Sequence, residues 1–189
     1  VNWCPHCNTS ISDAEVEYEE KDGSFWHLLY PVKETGEMLE LATTRPETML
    51  GDTAVAINGD DPRYAHLHGC HVILPLLNKE IPIVCDEHAD MTKGTGVVKI
   101  TPAHDPNDFE VGLRHDLPIV RVFTYDGRMT GAADKAAADA LFAAGKNTVN
   151  EPHVLDCGKY AGMTTLEARK AILADLKEGG FLKEIEPLK

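Results

Sequence analysis

Apolar and polar positions alternate in short runs over the first two thirds of the chain and settle into a helical period afterwards. Val16-Glu17-Tyr18 alternates, and Phe25 to Val32 is aromatic and apolar after an Asp22-Gly23 turn, so the two predict a hairpin. Met38 to Thr43 and Thr53 to Ile57 read as further strands. His71 to Leu77 and Glu80 to Cys85, joined by Asn78-Lys79, predict a second hairpin in which Pro75 and Pro82 mark edges or bulges. Gly96 to Thr101 and Ile119 to Thr124 are short β-branched runs on either side of a helical stretch. So many short strands predict a curved or closed, barrel-like sheet rather than a βαβ stack.

Beyond Asp126-Gly127 the pattern changes. Ala132 to Ala144 is a run of strong helix formers stopped by Gly145. Thr164-Thr165-Leu166-Glu167 has the spacing of a capping box, and Leu166, Ile172, Leu173 and Leu176 form an apolar stripe that Gly179-Gly180 ends. That stripe reads as core packing rather than as a cofactor site. With no internal repeat and no long linker, the 189 residues predict one mixed α/β domain, a barrel-like sheet with peripheral helices, large enough to bury a core.

Composition narrows the function. The chain is 43 % hydrophobic and 26 % charged, which is globular, and its net charge of −13 repels polyanions, so any nucleic-acid contact must be local. No apolar run approaches the roughly 18 residues of a membrane span. The start, Val1-Asn2-Trp3, has neither an initiator methionine nor a signal-peptide pattern, which predicts a soluble, cytoplasmic piece cut from a longer chain. Five cysteines without a framework exclude a disulfide-stapled scaffold and fit a reducing compartment. Cys4-Pro5-His6-Cys7 sets residues 1–12 apart from 13–189. Its two thiolates can hold one side of a structural zinc, but zinc needs four ligands and no second CxxC or HxxxH follows, so the motif is half a site or an inert pair.

Two segments carry candidate chemistry. In Leu41 to Asp52, hydroxyls, a guanidinium and a carboxylate crowd the exit of an apolar strand, with Pro46 suited to the first position of a short helix. Thr43, Thr44 and Thr48 can end the strand and cap that turn, or, with Arg45, hold a carbonyl, a ribose hydroxyl or a phosphate. In the second segment, Gly94-Thr95-Gly96 allows close backbone approach but is too short for a phosphate loop. Lys99 and Thr101 share a strand face, His104 lies in a turn, and Asp105 precedes Pro106 as a helix N-cap. Asp108 follows three residues later, placing both carboxylates on one helical face beside Lys99 and Thr101. Each has a plain structural reading: Asp105 as cap, Asp108 as capping-box acid, His104 as an exposed turn histidine. Together they make a site that can bind an ammonium group or orient water. No Ser-His-Asp order, HExxH motif or His/Cys/Cys set accompanies them, so neither a covalent nucleophile nor a metal hydroxide is indicated.

ATTRPETMLGD at 42–52 and DEHADMTKGTGVVKITPAHDPNDFEVG at 86–112 resemble the editing domain inserted in the class I synthetases for valine, isoleucine and leucine. KITPAHD, the opening VNWCPHC and DDPRY at 60–64 resemble the valine branch in particular, and the likeness covers essentially the whole chain. The resemblance implies a β-barrel-like domain that hydrolyses threonine misattached to valine tRNA, held by its 3′ end, with the rest of the synthetase chain as partner and no cofactor for editing. It implies that Asp108 binds the substrate α-ammonium and that Thr43, Thr44, Arg45 and Thr48 surround the ester and terminal adenosine. Lys99, Thr101 and Asp105 then offer polar partners to the threonine hydroxyl, the division between Asp105 and Asp108 remaining open. The need for such a site is physical: an apolar pocket rejects an isostere that merely adds a hydroxyl by only about 10²-fold, as is known of valine synthetases against threonine. The HIGH and KMSKS signatures of adenylate formation do not occur in the chain. A free-standing trans-editing deacylase and a non-catalytic aminoacyl-recognition module are the alternatives.

Overall fold

The computed structural model describes residues 24–145 and 153–187, together with the backbone of Trp3–Cys4 and Thr9–Ser10. These two dipeptides pair antiparallel as β1 and β2. Val16 to Tyr18, the expected first arm of a hairpin, lies outside the described residues, as does Cys7.

Strand β3 (Ser24–Pro31) buries Trp26, Leu28 and Tyr30 on alternate positions, as its pattern requires of a half-buried strand. It pairs antiparallel with β4 (Met38–Thr43), setting Trp26 opposite Thr43, and on its other side with the C-terminal strand β11 (Leu182–Pro187). A second sheet contains β5 (Ala54–Ile57), β6 (His71–Leu74), β7 (Lys79–Cys85) and β8 (Val98–Ile100) in the order β6-β7-β5-β8. In it β5 and β7 run parallel and the other pairs antiparallel. Strand β5 is buried on both faces: Val55 and Ile57 enter the main core, while Ala54 and Ala56 enter a smaller one with Ile100 and Val111. Two further dipeptides, β9 (Val120–Arg121) and β10 (His153–Val154), pair in parallel.

The sheets do not close into a barrel among the described residues. They meet at one corner, where Val32 bridges Val72, while β4 and β8 approach without pairing. The open seam between β4 and β8 is where the polar segments emerge. The second hairpin also turns earlier than its pattern predicts, with strands ending at Leu74 and resuming at Lys79. Pro75 lacks the N–H that a ladder needs, and Leu76 and Asn78 take left-handed backbone to complete the turn.

Helix α1 (Pro106–His115) starts as expected, with Asp105 accepting from the amides of Asn107 (2.8 Å) and Asp108 (3.2 Å). Helix α2 (Ala132–Ala143) buries none of its residues. Helix α3 (Thr165–Gly179) has the expected reciprocal box between Thr164 and Glu167 and a left-handed Gly180 at its end. Its buried stripe is Ala168, Ile172 and Leu176, whereas Leu166 is 57 % exposed. The i, i+4, i+8 row faces the sheet, and a first-turn leucine outside that row faces solvent.

Candidate active site

Between the ends of β4 and β8 and the start of α1 lies a cleft of about 250 Å³. It is lined by Phe25, Ala42, Thr43, Thr44, Arg45, Thr48, His88, Val98, Lys99, Thr101, His104, Asp105 and Asp108. The Thr-rich segment and the Lys99 to Asp108 segment thus converge on one space. Gly94, Thr95 and Gly96 do not line it. Thr95 and Gly96 approach the 61–64 turn, where the Tyr64 phenol donates to the Thr95 carbonyl. A side chain at Gly96, whose φ is +77°, would meet the Arg63 guanidinium at 2.6 Å. The left-handed backbone at Gly96 and the close approach to the 61–64 turn both favour glycine here.

Pro46 opens a tight helical turn, Pro46–Gly51, whose residues are all buried. Glu47 inside it accepts two bonds from Arg169 of α3, both 2.9 Å, so α3 clamps the turn from behind. At its end Gly51 lies so close to its neighbours that an added Cβ would sit 2.9 Å from the Val120 carbonyl oxygen. The turn delivers Thr48 and Asp52 to Lys99 of β8. The Lys99 ammonium donates to Thr48 Oγ1 (2.8 Å), Thr101 Oγ1 (2.8 Å) and Asp52 Oδ1 (2.9 Å), which uses its three protons. Asp52 also accepts from Thr101 Oγ1 (2.7 Å) and the Tyr30 phenol (2.7 Å). Full burial holds the Asp52 carboxyl above the usual carboxylate range, against the pull of Lys99 and the bonds from Tyr30, Lys99 and Thr101.

Asp108 is only 7 % exposed, and its Oδ2 accepts from the Thr101 amide at 3.0 Å. Its Oδ1 lies 3.3 Å from His88 Nε2. Burial raises its pKa and the Asp105 charge adds to this, while the Thr101 amide, Lys99 and His88 oppose it. Asp105 is exposed at the rim, tied by its capping bonds. Arg45 spans the cleft mouth, reaching the His104 carbonyl at 3.3 Å, and its own amide is held by Thr43 Oγ1 at 3.0 Å.

His104 is largely buried rather than an exposed turn residue. The Val122 amide donates to its Nε2 at 3.0 Å, which fixes the ring proton on Nδ1, and the edge of Phe123 packs on the ring. Burial, aided by the charges of Arg45, Lys99 and Arg121, lowers its pKa to about 3. No basic nitrogen is left to accept a substrate proton. A consequence is testable. Unfolded, the histidine binds a proton near pH 6.5 and folded it does not until about 3, so the unfolded state gains protons first and stability falls as pH drops through that window. Between pH 6.5 and 5 this amounts to about 2 kcal/mol. His104→Gln, which keeps an acceptor for Val122, is expected to flatten that share of the decline in urea midpoints; a variant whose offset from the parent does not change with pH would contradict it.

Sequence reasoning did not reach Asp52, Tyr30, His88 or Arg169. Asp52 and Tyr30 lie beneath the cleft at positions that read as strand ends or core, His88 is a single histidine in a loop, and Arg169 lies on a helix remote in sequence.

The family model for "Leucyl-tRNA synthetase, editing domain" matches residues 62–177. The chain belongs to this family of synthetase editing domains. Among its curated relatives are proteins named valine--tRNA ligase: that of Clostridium tetani is 53 % identical over 98 % of this chain, and that of Lactococcus lactis subsp. lactis is 51 % identical over 100 % of it. The chain spans 18 % and 19 % of those two proteins, respectively. Among solved structures, the ternary LeuRS-tRNA-LeuAMS complex from Agrobacterium radiobacter K84 aligns with a TM-score of 0.48 at 19 % identity, covering 69 % of this chain and 21 % of that one. Among the described residues no helix is long and apolar enough to cross a membrane.

Proposed function

We propose that the cleft hydrolyses the ester joining threonine to valine tRNA, as the post-transfer editing step of an enzyme that ligates valine to that tRNA with ATP. The observation that supports this reading most directly is the convergence of two distant segments on one cleft, whose Lys99 ammonium holds the hydroxyls of Thr48 and Thr101 together. The carboxylates of Asp108 and Asp105 receive the substrate α-ammonium; Thr43, Thr44 and Arg45 receive the ester and the terminal adenosine. The Thr48, Lys99 and Thr101 cluster faces the substrate side chain, where a threonine hydroxyl finds partners and a valine methyl leaves polar groups unpaired.

An aminoacyl ester is already activated, so a positioned water suffices. Its oxygen adds to the carbonyl carbon and the bond to the ribose oxygen breaks. That oxygen takes up a proton, releasing threonine and a free tRNA end. The Thr48 proton is committed to the Arg45 carbonyl, which is no base, and both hydroxyl oxygens accept from the Lys99 ammonium, which lowers their nucleophilicity, so the step uses water. The net charge of −13 leaves this domain to engage tRNA through its 3′ end, with the remaining contacts supplied by the rest of the synthetase chain. Cys4 and Cys7 supply at most two ligands of a structural zinc, and no step of the hydrolysis passes through them.

The test is direct. The chain is expected to release threonine from Thr-tRNA at least about 10²-fold faster than valine from Val-tRNA, the margin the synthetic pocket lacks. Equal rates on the two, or hydrolysis of a small ester alone, would overturn the reading; binding of Thr-tRNA without hydrolysis would mark a recognition module.

A further inference from the structure

The hydroxyls in the cleft are not free to turn. Lys99 Nζ has three protons and no lone pair, so Thr48 and Thr101 can only accept from it, at 2.8 Å each. Thr48 sends its own proton to the Arg45 carbonyl oxygen at 3.0 Å, a group that only accepts. Thr101 sends its proton to Asp52 Oδ1 at 2.7 Å. A hydroxyl oxygen has two lone pairs, and Lys99 takes one on each. The second lone pair of each remains, and both side chains line the cleft. Asp52 does not line it. It is 1 % exposed and anchored from behind by the Tyr30 phenol at 2.7 Å.

We propose that Asp52, anchored by Tyr30, is a positioning residue that sets the hydrogen-bond polarity of the cleft: by accepting a hydrogen bond from Thr101 and one from Lys99, it makes the Thr48, Lys99 and Thr101 cluster an acceptor-only surface. The inference rests on the editing reading and adds its selection rule. The site rewards aminoacyl esters whose side chain carries a hydrogen-bond donor at the β-carbon. Polarity or size alone does not suffice. A threonine hydroxyl donates to the open lone pairs, valine offers a methyl, and an analogue with fluorine in place of the hydroxyl sets lone pairs against lone pairs despite its similar size.

The experiment measures calorimetric binding of non-hydrolysable amide analogues of aminoacyl-adenosine carrying threonine, its 3-fluoro counterpart or valine. The parent chain is expected to bind the threonyl amide at least about tenfold more tightly than either other ligand. Asp52→Leu, which keeps the branching and removes the acceptors, frees the Thr101 proton and is expected to bring the fluoro ligand within about threefold of the threonyl one. Asp52→Asn is expected to retain the preference, since its carbonyl oxygen still accepts from Thr101 and Lys99 while its amide turns to the Tyr30 oxygen. Loss in both variants would assign the effect to charge alone and overturn the proposal, as would an unchanged preference in Asp52→Leu. Should Asp52→Leu not fold, the Thr101 pair decides: Thr101→Ser keeping the preference and Thr101→Val losing it supports the proposal, and equal behaviour overturns it. If the parent does not prefer the threonyl amide, the editing reading falls together with the inference; if it does and only the variants fail, the inference falls alone.

Discussion

Replacing Asp108 by Asn is expected to slow threonyl-tRNA hydrolysis by about 10- to 100-fold, the worth of one hydrogen bond to a charged group. The fold is expected to survive. Asp108 Oδ2 accepts the Thr101 amide, and an asparagine carbonyl can take over that bond. The charge is lost, and with it the partner proposed for the substrate ammonium. Asp108→Ala is the more damaging change, because it also leaves the Thr101 amide unpaired where Thr101 is 3 % exposed, at a further cost of about 1–3 kcal/mol. The pH profile separates the roles. Burial raises the Asp108 pKa, so the parent is expected to lose activity on acidification at a higher pH than an ordinary carboxylate would dictate. That limb should vanish in Asp108→Asn. Single-turnover rates on Thr-tRNA followed from neutral pH downwards check this; equal rates in variant and parent would remove Asp108 from the site.

The local parts of this arrangement were legible in the sequence. Asp105 before Pro106 announces a helix start, and its two capping bonds are present. The period of two along β8 puts Lys99 and Thr101 on one face, and the Thr-rich segment leaves β4 where an apolar strand ends. What periodicity cannot give is the identity of a distant partner. Asp52 reads as a residue after a short turn until β5 and β8 pair and set Val55 opposite Lys99, which brings the turn against the ammonium. His104 illustrates the same limit with the opposite sign. Its turn is exposed by pattern, yet the Val122 amide and the Phe123 ring, both beyond α1, enclose it.

The sheet topology was harder to read for a related reason. Alternation shows that β3 has one buried face but not which edges it pairs with, and one of its partners is β11, more than 150 residues away in the chain. Strand density also could not distinguish a closed barrel from two sheets meeting at the Val32 to Val72 corner. The distinction matters for chemistry, since closure along β4 and β8 would pair the strand ends that now flank the cleft.

Arg169→Ala is expected to destabilise the domain by about 3–5 kcal/mol, although Arg169 does not line the cleft. Its guanidinium grips both oxygens of Glu47, which is fully buried, and sits 5.4 Å from the Trp26 ring. Among the described residues the other cation near that carboxylate is Arg45, whose Nε is 3.9 Å away and whose side chain is half exposed. Removing Arg169 therefore strands a buried charge, and the cost is that of desolvation without compensation rather than of one lost ion pair. The damage should reach the site, because Thr48 follows Glu47 directly and supplies one of the three contacts of Lys99. A double change to Glu47→Leu and Arg169→Leu separates the causes. With both charges gone the penalty for an unpaired carboxylate disappears, and at least about half of the lost stability should return. Denaturant unfolding of parent, single and double variants measures both quantities. A single variant within about 0.5 kcal/mol of the parent would show that water reaches Glu47, and a double variant no more stable than the single would place the loss in the packing of the arginine on Trp26.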